Sequence, residues 1–173
     1  VPAKLLPGKI GRLGAEWKLI VKRKPDLLVA LGSFSDIMNF LKAAPRLNIP
    51  IYTGHAVADS RLPKWLGEGN HEHVHLLTAY PLIKDTNHPG NKFHAKLLRE
   101  YEPDLKPSRW TVYGHAVAEL MVEVLRRSGR SLSRSKTIHA AEDIKNWQGK
   151  LLPPISLSND NHLALTTFRI SQI

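Results

Sequence analysis

The chain has 173 residues, 42% of them hydrophobic, enough for one ordinary domain, or pieces of two, with a buried core. It has no cysteine, which excludes disulfides, thiolate metal sites and cysteine nucleophiles. Its formal net charge of +10 attracts anionic solutes, nucleic acid or an anionic membrane surface.

No apolar run approaches the length of a membrane-spanning helix, so no membrane insertion is expected. No apolar signal-peptide core is visible at Val1-Pro2-Ala3-Lys4. The cations gather in two places, Lys4 to Lys24 and Arg126 to Lys136, with few aromatics among them. No helix-turn-helix spacing, zinc finger or aromatic RNA-binding strand accompanies them, so solvated faces near helix ends are favoured over a nucleic-acid surface.

In chain order, Gly11–Arg23 has Leu13, Trp17, Ile20 and Val21 at helical spacing, and Pro25 forbids continuation. Leu27–Leu31 is an unbroken apolar run, too short for a helix and typical of a parallel strand covered on both faces. Ser35–Ala44 reads as a helix capped by Ser35 or Asp36, and Ile49–Tyr52 as a second strand. Strand, helix and strand imply a parallel pair with a right-handed crossover. Thr53–Gly69 is looser, with one helical turn at Leu62–Leu66, and His71–Ala79 reads as a third strand. Pro81–Asn91 is turn-rich, with Pro89 and Gly90 as breakers, and Phe93–Glu102 is a helix.

Trp110–Arg127 carries the broadest apolar stripe, Val112, Ala116, Leu120, Met121, Val124 and Leu125, and stops at Gly129. A shorter helix spans Thr137–Trp147. Strands at Ile155–Leu157 and Ala164–Ile170 follow, with a turn at Asn159-Asp160-Asn161. Between Lys92 and Gly149 there are thus three helices and no strand, and their apolar faces need something to cover them.

Ligands of open parallel sheets sit beyond the carboxyl ends of the strands, here Gly32-Ser33-Phe34 and Gly54-His55. Ordinary loop residues are the plain alternative. His71, His73 and His75 would share one face of a strand and could bind zinc or nickel, though a half-exposed strand explains them as well. Gly8 to Gly14 has spaced glycines and cations but lacks the Gly-Lys-Ser/Thr ending of a phosphate loop. Catalysis has little support. There is no Gly-x-Ser-x-Gly elbow, and the neighbouring Glu142 and Asp143 diverge on a helix, so the chain is expected not to be an enzyme and to need no cofactor.

Several stretches, in this order, resemble one family. They are Lys24-Pro25-Asp26 before a strand, Phe40-Leu41-Lys42-Ala43-Ala44, Ile49-Pro50-Ile51, Tyr113-Gly114-His115-Ala116, Ser128 to Arg134, and Asn159-Asp160-Asn161-His162. The chain resembles the C-terminal half of a type I periplasmic substrate-binding protein, nearest to the branched-chain amino acid and amide/urea receptors of ABC importers. That resemblance implies an α/β protein with a partial type I periplasmic-binding-protein fold, lacking the N-terminal portion. Residues 1–80 would form a second-lobe segment, 81–152 helices of the first lobe, and 153–173 strands returning to the second. It implies a periplasmic location, an ABC permease as partner, and a small polar solute (an amino acid, amide or urea-like compound) bound between lobes that close about a hinge near Tyr80-Pro81. Gly32, Ser33, Phe34, Gly54 and His55 would touch the solute. His55 falls where some relatives place an acidic group for a ligand amine, which favours an amide or carboxylate instead. With half the family's site absent, self-association or a missing N-terminal portion is expected. A ligand-sensing regulatory domain of the same fold is the alternative, and a basic nucleic-acid-binding protein a more distant one.

Overall fold

The computed structural model describes residues 18, 20, 22–43, 49–59, 61–67 and 71–172. Of the first expected helix, Lys18, Ile20, Lys22 and Arg23 are described and helical. The Gly8–Gly14 stretch lies outside the described residues. The chain divides into two compact units. One runs to Leu77 and includes Ile170–Ile173; the other is Thr78–Arg169.

The first unit holds the sheet. Strands β1 (Leu28–Ala30), β2 (Ile51–Gly54) and β3 (Val74–Thr78) lie side by side, with β4 (Arg169–Gln172) next to β3. The first three are parallel, Val29 facing Tyr52 and Tyr52 facing His75. Helix α1 (Phe34–Ala43) makes the crossover from β1 to β2, burying Ile37, Met38 and Leu41 on one stripe. A 3-10 turn (His55–Val57) and the short α2 (Leu62–Leu66) follow β2. Gly67 ends α2 with φ +86°, a conformation that favours glycine.

In β2 and β3 buried and half-buried residues alternate, with Ile51, Thr53, Val74, Leu76 and Thr78 on the core face. The expected double-faced burial of β1 is not what the structure shows. Leu27, Val29 and Leu31 are 50%, 59% and 76% exposed. Successive side chains of a strand point to opposite faces, and Val29 lies on the face of the half-buried Tyr52 and His75, so only Leu28 and Ala30 of β1 turn toward the core.

The second unit is helical: α3 (Pro89–Tyr101), α4 (Arg109–Ser128) and α5 (Arg134–Glu142). Each start is capped. His88 Nδ1 accepts from the Gly90 amide at 3.1 Å. Ser108 and Thr111 form a reciprocal capping box, and Ser133 Oγ accepts from the Lys136 amide at 3.3 Å. One core cluster joins Ala79 and Tyr80 to Val112, Ala116, Leu151 and Leu152. Another joins Val124, Ala140, Ile144 and Ile155.

Five expectations change here. Helix α3 begins at Pro89, because proline suits the first helical turn, where its missing N–H costs nothing. Helix α5 ends at Glu142, and Asn146, at φ +49°, turns the chain so that Trp147 pairs with Ile155 in a single antiparallel bridge instead of a strand. The final strand occupies Arg169–Gln172, with Ala164–Phe168 outside any strand. Of the α4 stripe, Met121 and Leu125 are exposed.

Candidate functional site

The carboxyl ends of β1 and β2 are neighbours, since Ala30 registers with Thr53. Beyond β1, Ser33 Oγ lies 3.0 Å from Ser35 Oγ and accepts from the Asp36 amide at 3.3 Å, holding the α1 start in place. Phe34 is the first residue of α1 and is half-buried. Its ring meets Trp65 of α2 edge-on, with centroids 5.4 Å apart at 73°. A side chain at Gly32 would reach Asp36 Cβ at an ordinary 3.4 Å, and one at Gly54 would meet nothing, so neither glycine is dictated by packing. His55 is exposed at the head of the 3-10 turn.

The same end of the sheet carries three residues that the sequence reading passed over. Asp59 is 8% exposed. Its Oδ1 accepts from the Arg61 amide and from Arg61 Nε, both at 2.9 Å, and its Oδ2 accepts from Arg61 NH2 at 2.9 Å. This two-pronged grip sets the guanidinium over Trp65, 4.6 Å from the ring centre. The spacing Asp59-x-Arg61-x-x-x-Trp65 was the available signal: an Asx-type turn, then two residues four apart on one helical turn.

The three histidines before and on β3 do not come together as expected. His71 and His73 lie in the turn ahead of β3, off the strand's alternation, while His75 stacks on Tyr52 with centroids 4.8 Å apart. Burial, then the neighbouring His75, keep His73 below the ordinary histidine range. Among the described residues no three histidines or carboxylates are placed to hold a metal ion.

The second unit has its own polar centre. His94 Nδ1 is 3.1 Å from His115 Nδ1, and His94 Nε2 is 2.9 Å from Thr111 Oγ1. His115 Nε2 lies 3.8 Å from Glu119 Oε1. Burial holds both imidazoles below their ordinary range, with His115 adding to the effect on His94.

A family model for periplasmic binding proteins matches residues 12–173. The chain belongs to the periplasmic binding protein family. Solved structures agree in fold. An extracellular ligand-binding receptor from Verminephrobacter eiseniae superposes with a TM-score of 0.77 at 16% identity, covering 95% of this chain and 47% of that one. A branched-chain amino acid ABC transporter protein from Thermus thermophilus, with bound valine, gives 0.75 at 16% identity, covering 98% and 48%. A leucine-binding protein from Thermotoga maritima gives 0.71 at 18% identity, covering 93% and 45%. The chain therefore spans a little under half the length of these structures. No curated protein sequence matches it. The mixed α/β architecture is a partial type I periplasmic-binding-protein fold, in keeping with the family match. No helix among the described residues is long and apolar enough to cross a membrane.

Proposed function

We propose that this chain is a noncatalytic solute-binding component of an ABC importer, working in the periplasm and signalling to a membrane permease. The observation that carries the reading is the family match over residues 12–173. The position of the polar loops supports it: Gly32-Ser33-Phe34 and Gly54-His55 stand at the carboxyl ends of adjacent parallel strands, where open α/β sheets receive ligands. In this reading Gly32, Ser33, Phe34, Gly54 and His55 line one wall for a small polar solute. The sheet unit corresponds to the family's second lobe, and the helical unit to helices of its first.

A thermal-shift screen of the chain against amino acids, amides and small carboxylates tests the reading. A ligand at a hundred times its Kd adds about 2.7 kcal/mol to stability, and so raises Tm by roughly 5–10 °C for a domain of this size. A panel that leaves Tm unmoved throughout overturns it.

A further inference from the structure

We propose that Arg61 is a carboxylate-binding group of this wall, and that the solute class is a carboxylate joined to a flat apolar body, as in benzoate. The proposal rests on the solute-binding reading above and adds to it a ligand chemistry.

The argument begins with Asp59. A buried carboxylate is costly unless it is paired, and here three N–H groups of Arg61, one backbone and two guanidinium, converge on it at 2.9 Å. An exposed arginine is ordinarily a mobile arm that loses rotamer freedom when it binds. Arg61 is 65% exposed yet already fixed at two of its nitrogens. NH1 is left with no hydrogen-bond partner among the described residues, so a guanidinium edge is presented in a set orientation. Two-pronged capture of a carboxylate is what that edge does best.

The surroundings give the rest of the ligand. Trp65 lies under the guanidinium and Phe34 stands edge-on to Trp65, forming an apolar corner beside the cation. A flat ring bearing a carboxylate satisfies both parts at once. Phe34 follows directly on Gly32-Ser33, which puts the corner at the end of β1. Asp36 sits in the first turn of α1, where the amide groups of the helix start favour its charge. Asp59, the other carboxylate, is occupied by Arg61.

Isothermal titration of the full 173-residue chain with sodium benzoate tests this, with benzylamine, acetate and valine as comparison probes. Benzoate is expected to bind and benzylamine not to. Arg61→Gln combined with Asp59→Asn, which leaves no unpaired buried charge, should lower benzoate affinity by about tenfold or more, the loss expected for one charge-assisted pair. Trp65→Leu should bring benzoate affinity down toward that of acetate. Equal binding of benzylamine, or benzoate affinity unchanged in the double variant, overturns the proposal. Tight valine binding without benzoate binding overturns it while leaving the solute-binding reading intact. Silence from these probes and from the whole screening panel overturns both. Circular dichroism of each variant confirms that the fold is retained, and Arg61→Lys, which keeps the charge and loses the fork, should fall between wild type and the double variant.

Discussion

Thr111 decides how the histidine pair of the helical unit is protonated. Its hydroxyl donates to the Ser108 carbonyl at 2.9 Å and accepts from the Ser108 amide at 2.8 Å, so toward His94 it can only accept. His94 Nε2 therefore carries the proton that fills the 2.9 Å contact. A neutral His94 then offers a bare Nδ1, and His115 Nδ1–H donates to it across 3.1 Å. Protonating His94 would set N–H against N–H. His115 also has Glu119, which favours its charged form, and Lys150, which opposes it. Both histidines sit below 6.5 in the folded state, so the unfolded chain binds more protons as the medium acidifies. Stability from this pair is complete above about pH 6.5 and is lost as pH falls from there through the lower folded-state values. Thermal melts of the chain at stepped pH should show Tm falling below neutrality, and His94→Gln should flatten that dependence.

Gly90 belongs to the same scale. A Cβ there would come within 2.2 Å of the Lys150 carbonyl oxygen and 2.8 Å of a Leu151 methyl. Alanine is the better helix former, yet Gly90→Ala should destabilise the chain by about 1–3 kcal/mol, because the backbone of Lys150 cannot yield as a side-chain tip could. Urea denaturation gives the sign.

Among the elements, α1 and α4 show how burial and capping divide the work. Leu41 is 1% exposed in the sheet unit, and Leu41→Ala should cost roughly 2–5 kcal/mol, read as a drop in denaturation midpoint. Ser108→Ala removes one half of the α4 capping box and should cost about 1 kcal/mol. These are also the elements that were easiest to read from sequence. Leu27–Leu31, Ile49–Tyr52 and His71–Ala79 predicted the three parallel strands, and Ser35–Ala44 the crossover helix. Local apolar pattern and proline punctuation carry that much.

The remaining features depend on distant parts of the chain. Pro89-Gly90 looked like a break because its capping partner, His88, gives no ordinary cap signature. The exposure of Val29 follows from the sheet face it shares with the half-buried Tyr52 and His75, which its own apolar run cannot reveal. Asp59, Arg61 and Trp65 give little signal in sequence for a related reason. Arg61 reads as one more cation in a basic chain until the buried carboxylate and the Phe34 ring are seen around it. The strand ends, by contrast, could be located from sequence as soon as the strands were.

For the whole molecule, α4 leaves Trp110, Tyr113, Val117 and Met121 exposed along one line. These fall at spacings of three and four residues, so they form a continuous apolar stripe on a helix whose other side fills the core. Self-association through this stripe is our proposal for the chain as it stands. Sedimentation velocity should show mass rising with concentration, and Val117→Lys with Met121→Lys should return it to a monomer. A well-folded monomer at all concentrations would dispose of the idea.

The sheet's last neighbour enters from about ninety residues further along the chain: β3 ends at Thr78 and β4 starts at Arg169, with Gln172 reaching the Glu72 carbonyl. The helical unit is thus an insertion nested inside the sheet unit. On the ribosome its chain is contiguous and emerges complete, whereas the sheet must wait with β3 as an open flank until β4 is made. Long loop closure slows such pairing, so the two units should acquire structure in the reverse of their order in the sequence. Pulsed proteolysis of nascent chains should find α3 to α5 protected before β1 to β3, and a chain stopped at Phe168 should keep its helices while its sheet stays prone to recruit a foreign strand.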